Sequence, residues 1–222
     1  MRRLDRRTLG GGGSELAKER RDQVDRIVSE IYSPPRVTSV AKMMPSLGVM
    51  PGFALDITTA DPDDGKPWDF SKADKRAKAR RMIEEQAPYL LIGSPMCTAF
   101  STWQRINDKI RDPITIAAEK KRAIMHLEFC IELYREQRRH GRYFLHEHPA
   151  YATSWQEAMQ KLMDEVDVEK VVCDQCMYGC SSFYNSPVKK PTKFLTNSPE
   201  MAKRLRIRCT GRNGKCSRPA GG

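Results

Sequence analysis

Short apolar runs alternate with longer stretches of helical spacing along most of this chain, and that alternation leaves few folds open. Residues 27–32, 53–57, 90–93, 143–145, 168–172 and 193–196 are apolar runs of strand length, each bounded by turn residues or charge. Trp68-Asp69-Phe70 fits a further brief strand. Between them lie helical patterns. Residues 37–47 form a short one that Gly48 stops, and residues 72–85 follow Ser71 as a cap, with Ala73, Ala77, Met82 and Ile83 on one side. Residues 114–139 give the longest, with Ile124, Leu127, Cys130, Ile131 and Tyr134 on one face and Gly141 as its end. Another fits 154–163, with Trp155, Met159 and Leu162 turned inward. A charged helical stretch occupies about 15–28, and residues 105–111 are polar loop. Strand and helix in alternation predict an α/β fold with a doubly wound, mostly parallel sheet and helices on both faces.

Domain organisation follows from composition. Residues 1–26 form a basic segment with a flexible Gly10-Gly11-Gly12-Gly13 linker and a helix, 27–208 the α/β domain, and 209–222 a basic tail containing cysteine and glycine. The formal charge is +11, from 39 Lys+Arg against 28 Asp+Glu, which favours a polyanionic partner. Much of that excess sits near the termini, where a solvated basic tail explains it equally well. No run approaches the length of a membrane span, and the basic N-terminus has no apolar segment behind it, so neither membrane nor secretory signal is expected. The expected location is intracellular, cytoplasmic or nuclear. Seven dispersed cysteines in that setting point to free thiols or metal ligands rather than disulfides.

The chemistry concentrates at strand ends. Leu90-Leu91-Ile92 stops at Gly93-Ser94-Pro95, and Cys97 follows at once. A cysteine there is held at the carboxyl edge of the sheet, where open α/β folds bind ligands, and a thiol of lowered pKa is a nucleophile; a small buried core residue is the plainer reading. Asp56, Asp69 and Glu147 also follow strands, so all four would line one edge. An acid after the second strand commonly holds ribose hydroxyls. Taken singly, Asp56 or Asp69 is as well explained by a turn.

Gly93-Ser94-Pro95-Met96-Cys97-Thr98-Ala99-Phe100-Ser101 resembles the Pro-Cys…Phe-Ser signature of the DNA cytosine-5 methyltransferase family. His146-Glu147-His148-Pro149 stands where that family has Glu-Asn after the next strand. Asp174-Gln175-Cys176-Met177-Tyr178-Gly179 and 190–197 resemble compact members from phages and retroelement polyproteins, and the similarity spans about 27–216. The resemblance implies a Rossmann-like methyltransferase fold and transfer of methyl from S-adenosylmethionine to C5 of cytosine in DNA. Cys97 would attack C6, and Glu147 would contact N3 and the exocyclic amine. Ser33, Pro34, Asp56, Asp69, Ser94 and Pro95 would bind the cofactor; Phe100 and Ser101 would support the turn and, with Trp103 and Lys190, serve the substrate. So short a member implies a larger polyprotein or a separate target-recognition domain as partner. The chain departs from the family at the first turn, where Glu30-Ile31-Tyr32-Ser33-Pro34-Pro35-Arg36 has no glycine, and at Met96 and Thr98. Lost glycines open the alternative of an inactive relic of the fold, kept as a basic nucleic-acid-binding or polyprotein module.

Other residues carry rival readings. No metal is expected in the reaction. His146, Glu147 and His148 with Cys173 and Cys176 touch on the His-x-Glu…Cys-x-x-Cys pattern of zinc nucleobase deaminases, with wrong spacing at the glutamate. Cys173, Cys176, Cys209 and Cys216, with His148, offer a structural zinc site of irregular spacing, although a strand thiol and a loop thiol explain Cys173 and Cys176 without one. His126 is expected as a satisfied core histidine. Trp103 and Gln104 could stack on a base or pack beneath the Cys97 loop, and Arg36 could meet an anion or lie on the surface.

Overall fold

The computed structural model describes residues 26–101, 107–108, 110–156, 158–213 and 215–218. Six strands form one sheet: β1 (Ile27–Ile31), β2 (Met50–Leu55), β3 (Leu90–Gly93), β4 (Tyr143–Pro149), β5 (Glu169–Asp174) and β6 (Pro191–Thr196), in the order β2-β1-β3-β4-β6-β5. The first four are parallel neighbours; β6 runs antiparallel to both β4 and β5. The chain leaves β1 for β2 on one side and returns to lay β3 on the other. That reversal makes β1–β3 a switch point, with a crevice at the carboxyl ends of the strands.

Period-two alternation sorts the helices onto two faces. Ser29 Oγ donates to Gln86 Oε1 (2.6 Å), which puts Ser29 under α2 (Ala73–Gln86). Its neighbour Glu30 points the other way, onto α1 (Val37–Met43), accepting from Thr38 Oγ1 (2.8 Å). The α2 face also carries α3 (Pro113–Arg139) and holds most of the core: Leu127, Tyr134, Phe144, Leu91, Trp155, Met159, Leu162 and Leu195 are all buried there. Gly93 is needed at the end of β3 because a Cβ would lie 1.9 Å from Tyr134 Oη. That opening lets the Tyr134 hydroxyl reach His146 Nδ1 (3.0 Å) while its ring stacks on Phe144. Further helices among the described residues are α4 (Gln160–Met163) and α5 (Pro199–Arg204), the latter packed on β5 and β6.

Several local expectations need correction. Trp68-Asp69-Phe70 is no strand: Trp68 and Phe70 are buried in the core from an irregular segment beside the isolated bridge Ala60↔Pro67. Lys72, not Ser71, takes the N-cap position of α2, without a side-chain cap. Residues 154–163 split into a single 3₁₀ turn (Thr153–Trp155) and α4, although Trp155, Met159 and Leu162 are buried as expected. The strand begun at Tyr143 does not stop at Leu145 but runs on to Pro149, because His146 and His148 are buried under α3 and Trp155. The helix at 15–28 falls mainly outside the described residues, and its last two positions belong to β1.

Candidate active site at the carboxyl edge of the sheet

Past Gly93, Ser94 N still donates to Ile31 O (3.3 Å), and then Pro95 ends the ladder. The loop does not swing free. Pro95 O accepts from His148 Nε2 (3.0 Å), while His148 Nδ1 meets Ser154 Oγ (2.7 Å). A carbonyl only accepts, so Nε2 carries the proton and Nδ1 takes the Ser154 hydroxyl. Burial pulls the His148 imidazole down to about 4, so it stays neutral and keeps this arrangement across the physiological range. Phe100 is 1 % exposed and lies against the His148 ring. It packs beneath the loop, the support expected of it, but offers no surface for the substrate contact also expected. Cys97, at φ −99° and ψ 0°, opens the 3₁₀ turn Thr98–Phe100 and is half-buried.

Glu147 occupies the next strand. On β4 the odd and even positions diverge: His146 and His148 go into the α3 side, and Glu147 faces the opposite side, paired with Phe194 of β6. Glu147 Oε1 is buried and has no hydrogen-bond partner among the described residues. Lys190 Nζ lies 3.9 Å from it, near enough for attraction and too far for a hydrogen bond. Lys190 itself sits at φ +21°, just before Pro191, with its carbonyl accepting from Gln175 N and Thr192 Oγ1. Burial raises the Cys97 thiol above its ordinary value, the Glu147 charge adds to the rise, and Lys190 opposes it. Those influences place thiol, carboxylate and ammonium in one electrostatic neighbourhood. Cys173 lies at its back, its thiol pushed up to about 11 by burial, Asp174 and Glu147.

The residues expected to hold a cofactor divide into two groups. Asp56 follows β2 and spends Oδ1 on Thr58 N (3.0 Å) and Thr58 Oγ1 (2.6 Å); Asp69 caps Ser71 N (3.0 Å). Both are partly exposed. The turn after β1 is different. Glu30 accepts from Ser33 Oγ, Arg36 N, Thr38 N and Thr38 Oγ1, all within 3.0 Å. Pro34 and Pro35 have no amide hydrogen. The Arg36 and Thr38 amides and the Ser33 hydroxyl are thus spent on Glu30, and the two prolines offer no amide in their place. Ser94 N and Pro95 O are likewise used within the fold.

Comparison of the chain with protein-family models, with curated proteins and with solved structures returned no match.

The other candidates are settled by position. His146 and His148 point away from Glu147 and are tied to Tyr134 and Pro95, so the deaminase-like metal set does not form among the described residues. His126 is buried and meets the Tyr32 hydroxyl through Nδ1 (2.8 Å), as a core histidine should. The Arg36 residue is exposed, and Trp103 and Gln104 lie outside the described residues. Ser101 closes the turn through its amide to Thr98 O (3.1 Å). Cys176, Cys209 and Cys216 come together, and Cys173 does not join them. Sequence reasoning missed His148 as the residue that positions the Cys97 loop. Its signal was present as a histidine two residues along the same strand from another, the spacing of one buried face.

Proposed function

We propose that this chain is a Rossmann-like methyltransferase-fold domain that methylates C5 of cytosine in DNA through a covalent adduct with Cys97. One observation carries the reading: a buried carboxylate oxygen, Glu147 Oε1, has no donor among the described residues and shares an electrostatic site with a half-buried thiol. Burying such an oxygen unpaired is costly, and a ligand N–H satisfies it. Cytosine, through its exocyclic amine and a protonated N3, presents N–H groups on one edge and the electrophilic C6 on the ring beside it.

The Cys97 thiol is mostly protonated at neutral pH, so activation has to come with the substrate. As sulfur bonds to C6, its proton passes through Glu147 to N3, and the ring's electrons shift to make C5 nucleophilic. S-adenosylmethionine, when bound, supplies an electrophilic methyl group to that carbon. The C5 hydrogen then leaves as a proton to solvent, the C6–S bond breaks, and the N3 proton returns through Glu147 to sulfur. Lys190 compensates the charge of Glu147 at the mouth of the site. The base must leave the duplex to get there, at a cost of about a few kcal/mol in lost stacking. The net charge of +11 favours the polyanion by counterion release. A target-recognition domain, in a separate chain or a larger polyprotein, would supply sequence choice.

A second reading is favoured by the spent amides of the first turn: the domain keeps the fold and the basic surface but binds nucleic acid without transferring methyl. Labelled S-adenosylmethionine and DNA separate the two. The enzyme reading expects transfer by the wild type and a loss of at least about 10³-fold in Cys97→Ser. Calorimetry showing no binding of S-adenosylmethionine, with salt-sensitive DNA binding retained, supports the second reading and removes the first.

A further inference from the structure

The end of β5 leads into a 3₁₀ turn (Gln175–Tyr178) that buries Cys176. The C-terminal segment is pinned against it. Asp174 N donates to Ile207 O (3.1 Å), Asp174 Oδ2 accepts from Cys209 N (2.8 Å) and Arg208 Nε (2.9 Å), and Tyr178 Oη donates to Arg204 O (2.8 Å). Cys209 is delivered beside Cys176 by these contacts. Cys216 is brought back by a tight turn, with Lys215 N donating to Arg212 O (3.0 Å). Gly211 is required there, because a Cβ would lie 1.9 Å from Lys215 O. This turn answers the long Cys209-x6-Cys216 spacing, which exceeds the two to four residues usual between paired zinc ligands.

The three sulfurs lie within 4.8 Å of one another, and Cys209 Sγ to Cys216 Sγ is 3.7 Å. Tetrahedral zinc with bonds of about 2.3 Å sets its sulfurs about 3.8 Å apart. A disulfide would need about 2.05 Å. The surroundings are prepared for anionic sulfur. Ser217 N and Ser217 Oγ both donate to Cys209 Sγ (3.5 Å each), and Arg218 N donates to Cys216 Sγ (3.4 Å). Amide donors aimed at sulfur favour the thiolate, and adjacent thiolates repel unless a cation lies between them. Arg208, Arg212, Lys215 and Arg218 supply further positive charge along the same segment. We propose that Cys176, Cys209 and Cys216 bind one zinc ion that clamps the C-terminal segment to the end of β5. Soft thiolates in tetrahedral geometry select zinc over hard divalent cations. Among the described residues no fourth His, Cys, Asp or Glu atom joins the cluster, so a water completes the coordination. Binding releases the remaining thiol protons to solvent.

The test uses the full chain. Purified without added metal, it is expected to carry one zinc per molecule by elemental analysis. Stripped under reducing conditions and titrated with Co²⁺, it should saturate at one equivalent. The spectrum should show sulfur-to-cobalt charge transfer for three thiolates and the visible bands of a tetrahedral site, both abolished by Zn²⁺. Cys209→Ser and Cys216→Ser should each weaken Co²⁺ binding at least tenfold, while Cys180→Ser leaves it unchanged. Because the wild-type spectrum counts the thiolates directly, a variant that fails to fold does not blunt the test. The proposal is overturned by reduced protein that takes up no Co²⁺, by bands of an octahedral site without charge transfer, or by binding that survives Cys209→Ser. A Cys209–Cys216 disulfide in protein that takes up no metal after reduction overturns it equally.

Discussion

Cys97 and Cys209 are both half-exposed thiols beside the carboxyl ends of strands, and their surroundings push them in opposite directions. Cys97 is raised by burial first and by the Glu147 carboxylate second, with its own amide and then Lys190 against. Cys209 is lowered to about 6, chiefly by the Ser217 amide and hydroxyl, with the Gly211 amide adding to the effect. The difference lies in where the backbone donors point. After β3 the Ser94 amide is spent on Ile31 O and Pro95 has none, so the backbone donation that reaches the Cys97 sulfur among the described residues comes from its own amide. In the C-terminal turn, amides converge on sulfur. A thiol kept protonated next to a carboxylate suits a covalent step switched on by substrate. A thiol already prepared as an anion beside two more suits a metal. Cys176, pushed up to about 12 by burial and by its two sulfur neighbours, is the member of that cluster that gives up its proton only to a cation.

Glu147→Gln tests the first half of the comparison most severely. The amide keeps the shape but cannot relay the thiol proton to N3, so methyl transfer should fall by about 10²–10⁴-fold. Removing the negative charge also lowers the Cys97 pKa, so the pH profile of Cys97 alkylation should shift toward acid. Lys190→Ala removes the opposing charge and should shift it toward alkali. If both variants leave the profile unmoved, the three groups do not share a site.

Asp174→Asn tests the second half. Burial alone would raise this carboxyl, but Arg208 and the Cys209 amide outweigh it and hold it below the usual range. Asparagine keeps one acceptor and loses the ion pair, and Cys209 is less firmly placed. Co²⁺ affinity should drop about 10–100-fold, as for other outer partners of metal ligands. The same carboxyl carries a pH dependence of known sign. Its folded pKa is depressed, so its stabilisation is complete above the unfolded value near pH 4 and is lost as pH falls below it. Acid unfolding of the wild type should therefore show a component in that range that Asp174→Asn lacks.

These two sites were unequally legible in the sequence. Cys97 and Glu147 could be placed together because parallel strands put their carboxyl ends on one edge, and apolar runs announce such strands. The continuation of β4 through His146-Glu147-His148-Pro149 was not legible, since polar residues and a proline look like a stop; only Trp155 and α3 covering the histidines make a strand of them. The direction of β6 was hidden as well, because Lys193-Phe194-Leu195-Thr196 has the same composition whichever way it runs. The resemblance gives Phe100 both turn support and substrate contact, and its burial against His148 leaves only the first. The thiol cluster was half visible. Four cysteines could be named as a candidate set in spite of their irregular spacing, but which three converge depends on Asp174 holding a segment 35 residues away.

The smallest expected effect is a difference in alkylation rate between the two thiols of the same molecule, read by mass spectrometry on reduced, metal-free protein at pH 7. A thiol with a pKa of about 6 is roughly 90 % thiolate there, and one held above the ordinary value near 8.5 is at most about 3 %. Thiolate fraction alone therefore favours Cys209 over Cys97 by about thirtyfold or more. The less basic sulfur is also the weaker nucleophile, which returns about tenfold of that advantage. Cys209 should still label at least about threefold faster. One equivalent of Zn²⁺ should then reverse the order, because a metal-bound thiolate is shielded while Cys97, outside the cluster, is untouched. Equal protection of both thiols by zinc would mean that the two environments are not independent, and the contrast drawn between them would fail.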